Sequence, residues 1–166
     1  MSDWDKYIDQ IVHKLNEDET EFEVMDVCSS AAIYGKDGTC WAYSEKMPEL
    51  KVYTHEIDGM GEIIKVKVNE LELAIKAGEG EKRFGDAGLR IGGKKFQVVS
   101  EYDPAEGGVQ ISGPGGLSGA VAVTNKACII AFVEKNAVDS KKKFTDRFRA
   151  FDQVTKMAQW LKDQGY

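Results

Sequence analysis

The sequence has 166 residues, 42% hydrophobic and 30% charged, with a net charge of −6. That suits one globular domain, 1–166, able to bury a core without disulfide or metal staples. No apolar run approaches the roughly 20 residues of a membrane-spanning helix. The opening MSDWDKYIDQ lacks the basic-then-apolar order of a signal peptide. An acidic chain is also unsuited to general nucleic-acid binding, which works by neutralising phosphates. Cys28, Cys40 and Cys128 show no CxxC spacing and fit a reduced cytosolic setting; Cys128 lies in an apolar run, where a thiol acts as a small hydrophobe.

The first expected element is a helix over residues 3–16. Ser2 with Asp5 makes a capping-box-like start, and Trp4, Ile8, Ile11 and Leu15 recur at helical spacing. The acidic NEDETEFE reads as an exposed connection. CSSAAIYGKDGTCWAYS then reads as strand, tight turn at Lys36-Asp37-Gly38, strand. In the 50–68 segment two β-rich arms flank Asp58-Gly59, and Ile64, Val66 and Val68 alternate with lysines, predicting a second hairpin. Asn69 with Glu72 caps a short helix, NELELAIKA, that stops at Gly78. Five strands are expected in GLRIGG, KFQVVSEY, GVQIS, LSGAVAVT and ACIIAFV. Strands joined by turns this short must be antiparallel. A long helix beginning near Asp139 or Ser140 closes the chain. Its expected buried stripe is Phe144, Phe148, Phe151, Val154, Ala158 and Leu161, with Trp160 well off it. The fold class is therefore α+β: a central antiparallel sheet with the N- and C-terminal helices packed on one face, plus an extra hairpin.

The glycine-rich SGPGGLSGAVAV invites comparison with phosphate-cradling loops. Such loops deliver the ligand to a helix N-terminus, whereas these glycines lead into a strand. Ser118 stands where GxGxxG needs its last glycine, and no GK[ST] is present. GPGG is a turn. His13 and His55 sit in no nucleophile motif and at no metal-ligand spacing, so both read as structural or solvent-exposed. No catalytic group, cofactor or metal site is indicated.

Charge and aromatic placement say more. Residues 140–166 hold seven Lys/Arg against three Asp, a local +4 that leaves the rest of the chain at −10. This basic end is either a solvated helix face or a docking surface for an acidic partner. Trp4 and Tyr7 lie one turn apart, Trp41 is in an early strand, and Trp160 and Tyr166 close the last helix. If the terminal helices are neighbours on the sheet, these five rings share a surface. A shallow aromatic trough suits a proline-rich peptide, whose preformed polyproline II helix loses little entropy on docking. The plainer reading makes Trp4 and Trp41 core residues.

WDKYID, SSAAIYGKDGTCWAYS, GLRIGGKKFQVV, GPGG, TNKACIIAFVE and LKDQGY, in this order, resemble the profilin family over most of the chain. The resemblance implies a monomeric, non-catalytic, cytoplasmic protein of the cytoskeleton. It would hold actin monomers, suppress nucleation, deliver monomers to filament ends and bind proline-rich segments of actin regulators. It places the peptide groove at Trp4, Tyr7, Trp41, Trp160 and Tyr166, and the actin face at Lys95, Gln110, Ser112, Phe151 and Lys156. Two departures stand out. VQIS lacks the basic residues that animal and plant profilins commonly carry before the glycine-rich turn; Lys141, Lys142 and Lys143 offer partial compensation. Phosphoinositides, another ligand class the resemblance implies, are disfavoured by the net charge and favoured by that basic run. The second departure is the 50–68 hairpin, read as an insertion that is either an extra actin contact or an inert ribbon. Profilins of apicomplexan parasites carry an added hairpin in a similar place and archaeal relatives are irregular there, which points to a source outside animals, plants and fungi. The rival reading is a small sensor or scaffold domain of similar layout with a ligand pocket.

Overall fold

The computed structural model describes residues 4–15, 22–26, 28–137 and 145–166. Helix α1 (Asp5–Val12) leads directly into β1 (His13–Leu15), which pairs antiparallel with β2 (Phe22–Asp26). The expected helix over 3–16 therefore ends at Val12, and the tail of NEDETEFE is strand rather than connection. The period-2 run Phe22-Glu23-Val24 carries that strand, obscured by acidic composition. Next come β3 (Ser30–Gly35), β4 (Cys40–Tyr43), β5 (Val52–Gly59), β6 (Glu62–Asn69) and helix α2 (Glu70–Gly78). Strands β7 (Leu89–Ile91), β8 (Lys94–Val98), β9 (Gly108–Ser112), β10 (Ser118–Val123) and β11 (Ala127–Val133) follow, and helix α3 (Arg147–Asp163) ends the order.

Seven strands form one antiparallel sheet in the order β4-β3-β11-β10-β9-β8-β7. Both faces are covered, which is why β3 and β11 are buried along their whole length and read as continuous apolar runs. Alternate residues divide between two cores. Ala31, Ile33, Ala120, Ala122, Ile129 and Ala131 face α1 and α3; Ala32, Tyr34, Val121, Cys128, Ile130 and Phe132 face α2. The alanines on the first face admit the two helices close to the sheet. Gln153 of α3 ties them together by donating to the Gln10 and Ile11 carbonyls, both at 3.0 Å, at the C-terminal end of α1.

The β5–β6 hairpin forms its own two-stranded sheet. Its turn is Met60-Gly61, both at positive φ (50° and 90°), not the expected Asp58-Gly59. The turn lies two residues further along and each residue's partner shifts by four, an even number, so the faces keep their identity while eight residues pair in each strand. The hairpin is anchored through Glu70, the first residue of α2, which is fully buried. Its Oε1 accepts from the Lys51 and Gly92 amides (3.0 and 3.1 Å), and its Oε2 from the Gly93 amide (2.8 Å) and the Tyr53 hydroxyl (3.1 Å). Four donors satisfy a carboxylate that would otherwise be costly to bury. A second tie joins His55 Nε2 to Arg90 Nη2 at 3.2 Å. Asn69 caps α2 as expected, its side chain accepting from the Glu72 amide.

Helix α3 corrects two expectations. Thr145 and Asp146 are non-helical, and Asp146 is the N-cap, accepting from the Phe148 and Arg149 amides, so the helix starts at Arg147 rather than near 139–140. Phe144 and Lys141 to Lys143 lie outside the described residues. The buried face is Ala150, Val154, Met157, Ala158 and Leu161; Phe148 is 56% exposed and Phe151 half-buried. Large side chains suggested the stripe, but the alanine-lined sheet selects the face carrying Ala150 and Ala158.

Candidate functional site: an aromatic trough between the terminal helices

Five rings drawn from three distant parts of the chain meet on the rim of the α1/α3 core. Trp4 sits just ahead of α1, its carbonyl accepting from the Tyr7 and Ile8 amides. This places the indole at the end of the helix and Tyr7 one turn along. Trp41 lies on β4, beside the edge of Gly35: a Cβ there would fall 2.8 Å from the Trp41 Nε1. Only glycine lets the indole lie this close to β3. Trp160 projects from the last turns of α3, 40% exposed.

Tyr166 is placed by a glycine turn. The Gly165 amide donates to the Lys162 carbonyl and the Tyr166 amide to the Leu161 carbonyl, each at 3.0 Å, with Gly165 at φ 93°. This left-handed helix ending reverses the chain and brings the last ring back over the sheet.

The rings form a continuous set. Trp4 stacks on Trp41 at 4.5 Å between centroids and meets Tyr7 at 5.3 Å and Tyr166 at 5.2 Å edge-to-face. Tyr166 also meets Trp41 at 5.7 Å, and Tyr7 meets Trp160 at 4.9 Å. These are favourable separations for aromatic pairs, each worth about 0.5–1.5 kcal/mol beyond burial. Trp4, Tyr7, Trp41 and Tyr166 are all half-buried, intermediate between core and open surface. The open side is a trough of about 490 Å³ lined by Trp4, Lys6, Tyr7, Trp160, Gln164 and Tyr166. Lys6 Nζ stands 5.1 Å from the Tyr7 ring centre and Lys126 Nζ 6.0 Å from that of Tyr166. The arrangement offers flat apolar faces with polar tips.

A sequence model of the family described as Profilin matches residues 2–166. The chain belongs to the profilin family. Solved profilins share its fold at low identity. Mouse profilin IIa, in complex with a double repeat from the FH1 domain of mDia1, is 18% identical with a TM-score of 0.61, over 99% of this chain and 100% of that one. Acanthamoeba castellanii profilin II is 17% identical with a TM-score of 0.57, over 98% and 99%. Rat profilin 2a is 18% identical with a TM-score of 0.59, over 98% and 96%.

The residues expected on the actin face of a profilin are spread over three elements. Phe151 and Lys156 are on α3, Gln110 and Ser112 on β9 and Lys95 on β8, the strand next to β9. Lys95 and Lys156 are exposed, but Gln110 is only 9% exposed and offers little to a partner. Two burial effects bear on other candidates. Cys28 and Cys128 are buried and their thiols pushed up to about 12, chiefly by desolvation; Cys40 is exposed and its thiol is also raised, again mainly by desolvation. His55 is bound to Arg90 as a structural residue. The Glu70 network was not anticipated from sequence. Its available signal is an acidic residue opening a helix together with the adjacent amides of Gly92-Gly93.

Proposed function

We propose that this profilin binds monomeric actin in the cytoplasm as a non-catalytic monomer, suppressing nucleation and delivering subunits to filament ends. The aromatic trough takes proline-rich segments of actin regulators. The observation that carries the peptide reading is the convergence of Trp4, Tyr7, Trp41, Trp160 and Tyr166 in one continuous ring set with an open side. A polyproline helix presents flat pyrrolidine faces to such rings, while phenol and indole donors reach its carbonyls. The mouse profilin in complex with a double repeat from the FH1 domain of mDia1 supports the same partner class. For actin the proposed face is Lys95, Ser112, Phe151 and Lys156 with Gln110 beneath.

Two measurements test this. Rising protein concentration lengthens the lag of actin assembly and enlarges the unpolymerised pool. An oligoproline titration followed by intrinsic tryptophan fluorescence saturates. It weakens by tenfold or more in Trp160→Ala, whose ring touches only Tyr7 among the five. Unchanged affinity in Trp160→Ala and Trp4→Ala, with the fold intact, removes the trough as the site.

A further inference from the structure

A second cleft, of about 470 Å³, opens on the α2 face of the sheet, between the β7–β8 turn and the Pro114–Gly116 turn. Its chemistry inverts that of the molecule. The chain as a whole is at −6, yet Lys46, Lys94 and Lys135 line this one opening, with Glu134 the single acidic side chain among the lining residues. All three lysines are exposed, and none forms an ion pair or hydrogen bond among the described residues. Lys135 is held in place by its stem, which lies on Gly116: a Cβ there would fall 2.7 Å from the Lys135 Cβ.

Ser30 adds an independent sign. It is 5% exposed, on β3 opposite Phe132, and lines the same cleft. Its hydroxyl has no hydrogen-bond partner among the described residues. Because it lines the cleft, this hydroxyl can donate to an acceptor that enters there. Three ammonium groups less one carboxylate leave a local +2, which matches a dianion. The donors come from β3, the segment before β5, the β7–β8 turn and the residues after β11. A phosphate monoester brings three terminal oxygens and close to two negative charges, where a carboxylate brings two oxygens and one charge, and lysine serves as a point-charge phosphate ligand.

We propose that this cleft binds the phosphate monoester group of a soluble metabolite, with Lys46, Lys94 and Lys135 neutralising it and Ser30 donating from the floor. The site is separate from the aromatic trough, which lies on the α1/α3 face, and does not depend on the peptide or actin reading.

The test is an amide-resolved NMR titration of the full chain with glycerol phosphate, alongside inorganic phosphate and vesicles bearing a phosphomonoester headgroup. Saturable shifts centred on Ser30, Lys94, Gly115 and Lys135 are expected. Lys94→Ala and Lys135→Ala each weaken binding about tenfold, the loss of one charge-assisted contact. Ser30→Ala removes no existing bond, so the fold persists while affinity falls. The exposed Lys82→Ala serves as control and leaves affinity unchanged. Non-saturating shifts, shifts spread over all lysines, or equal losses in Lys82→Ala and Lys94→Ala overturn the site. Binding to vesicles alone overturns the soluble-ester assignment.

Discussion

Replacing Glu70 with glutamine tests the idea that one buried carboxylate locks the hairpin to the body. Glutamine keeps the shape but has one acceptor oxygen. With that oxygen in the Oε1 position it still accepts from the Lys51 and Gly92 amides, now as a neutral group. The amide nitrogen then faces the Gly93 N–H across a contact that was 2.8 Å, donor against donor, while the Tyr53 hydroxyl can turn and accept. The losses are one charge-assisted bond, about 1.5–3 kcal/mol, and a weakening of two others; burying a neutral amide instead of a charge offsets part of this. A net cost of about 3 kcal/mol follows, which lowers Tm by about 6–12 °C in a chain of this size. Tyr53→Phe removes one donor and costs about 1 kcal/mol. Urea and thermal unfolding of both variants give the numbers. Oligoproline affinity stays constant, because Glu70 belongs to the α2 side of the sheet and the trough to the other. A Glu70→Gln cost below about 0.5 kcal/mol would refute the locking role, since an exposed or unpaired carboxylate behaves that way.

Three further outcomes are expected. Gly165→Ala forces a side chain into a left-handed position at a cost of about 1 kcal/mol, and it displaces Tyr166; oligoproline binding weakens several-fold while the Tm falls by no more than about 2–4 °C, and unchanged binding would show that Tyr166 is not needed. Iodoacetamide at pH 8 labels Cys40 alone in the folded chain and all three cysteines in denaturant, because burial holds the Cys28 and Cys128 thiols protonated to about pH 12; mass spectrometry showing a second adduct in the native protein contradicts this. Burial raises the Tyr34 phenol from 10 to about 12 and also raises that of Tyr53, by burial first and then by Glu70. A phenol whose folded value is raised stabilises the fold fully below its unfolded value, and that contribution is lost as pH climbs through the folded one. Stability therefore falls between about pH 10 and 12, with part of the tyrosine absorbance change arriving only on unfolding; a native titration in which every tyrosine ionises near pH 10 would speak against it.

The sequence by itself determined what depends on neighbours along the chain. Period-2 alternation and short turns are local, so β3 to β11 were legible as strands, although the β5–β6 turn lies two residues beyond the expected Asp58-Gly59 and the pairing of β3 with β11 joins distant segments. So was α2, whose Asn69 cap and Gly78 stop lie within ten residues of each other. The five aromatic residues could be named because ring chemistry and position near the termini are sequence properties, but their union at 4.5–5.7 Å required α1, β4 and α3 to pack together. Contacts between distant segments decided the rest. Helix α1 yields to β1 at His13 because a partner strand ten residues on offers pairing that helical periodicity cannot register. Helix α3 buries Ala150 and Met157 beside the expected Val154, Ala158 and Leu161, and leaves Phe148 exposed, because the sheet beneath is lined with alanines and close approach favours the small face. Glu70 reads locally as one more acidic residue at a helix start. Only the fold brings Lys51, Tyr53, Gly92 and Gly93 around it, since a buried charge is stabilised by donors that no spacing rule links to it.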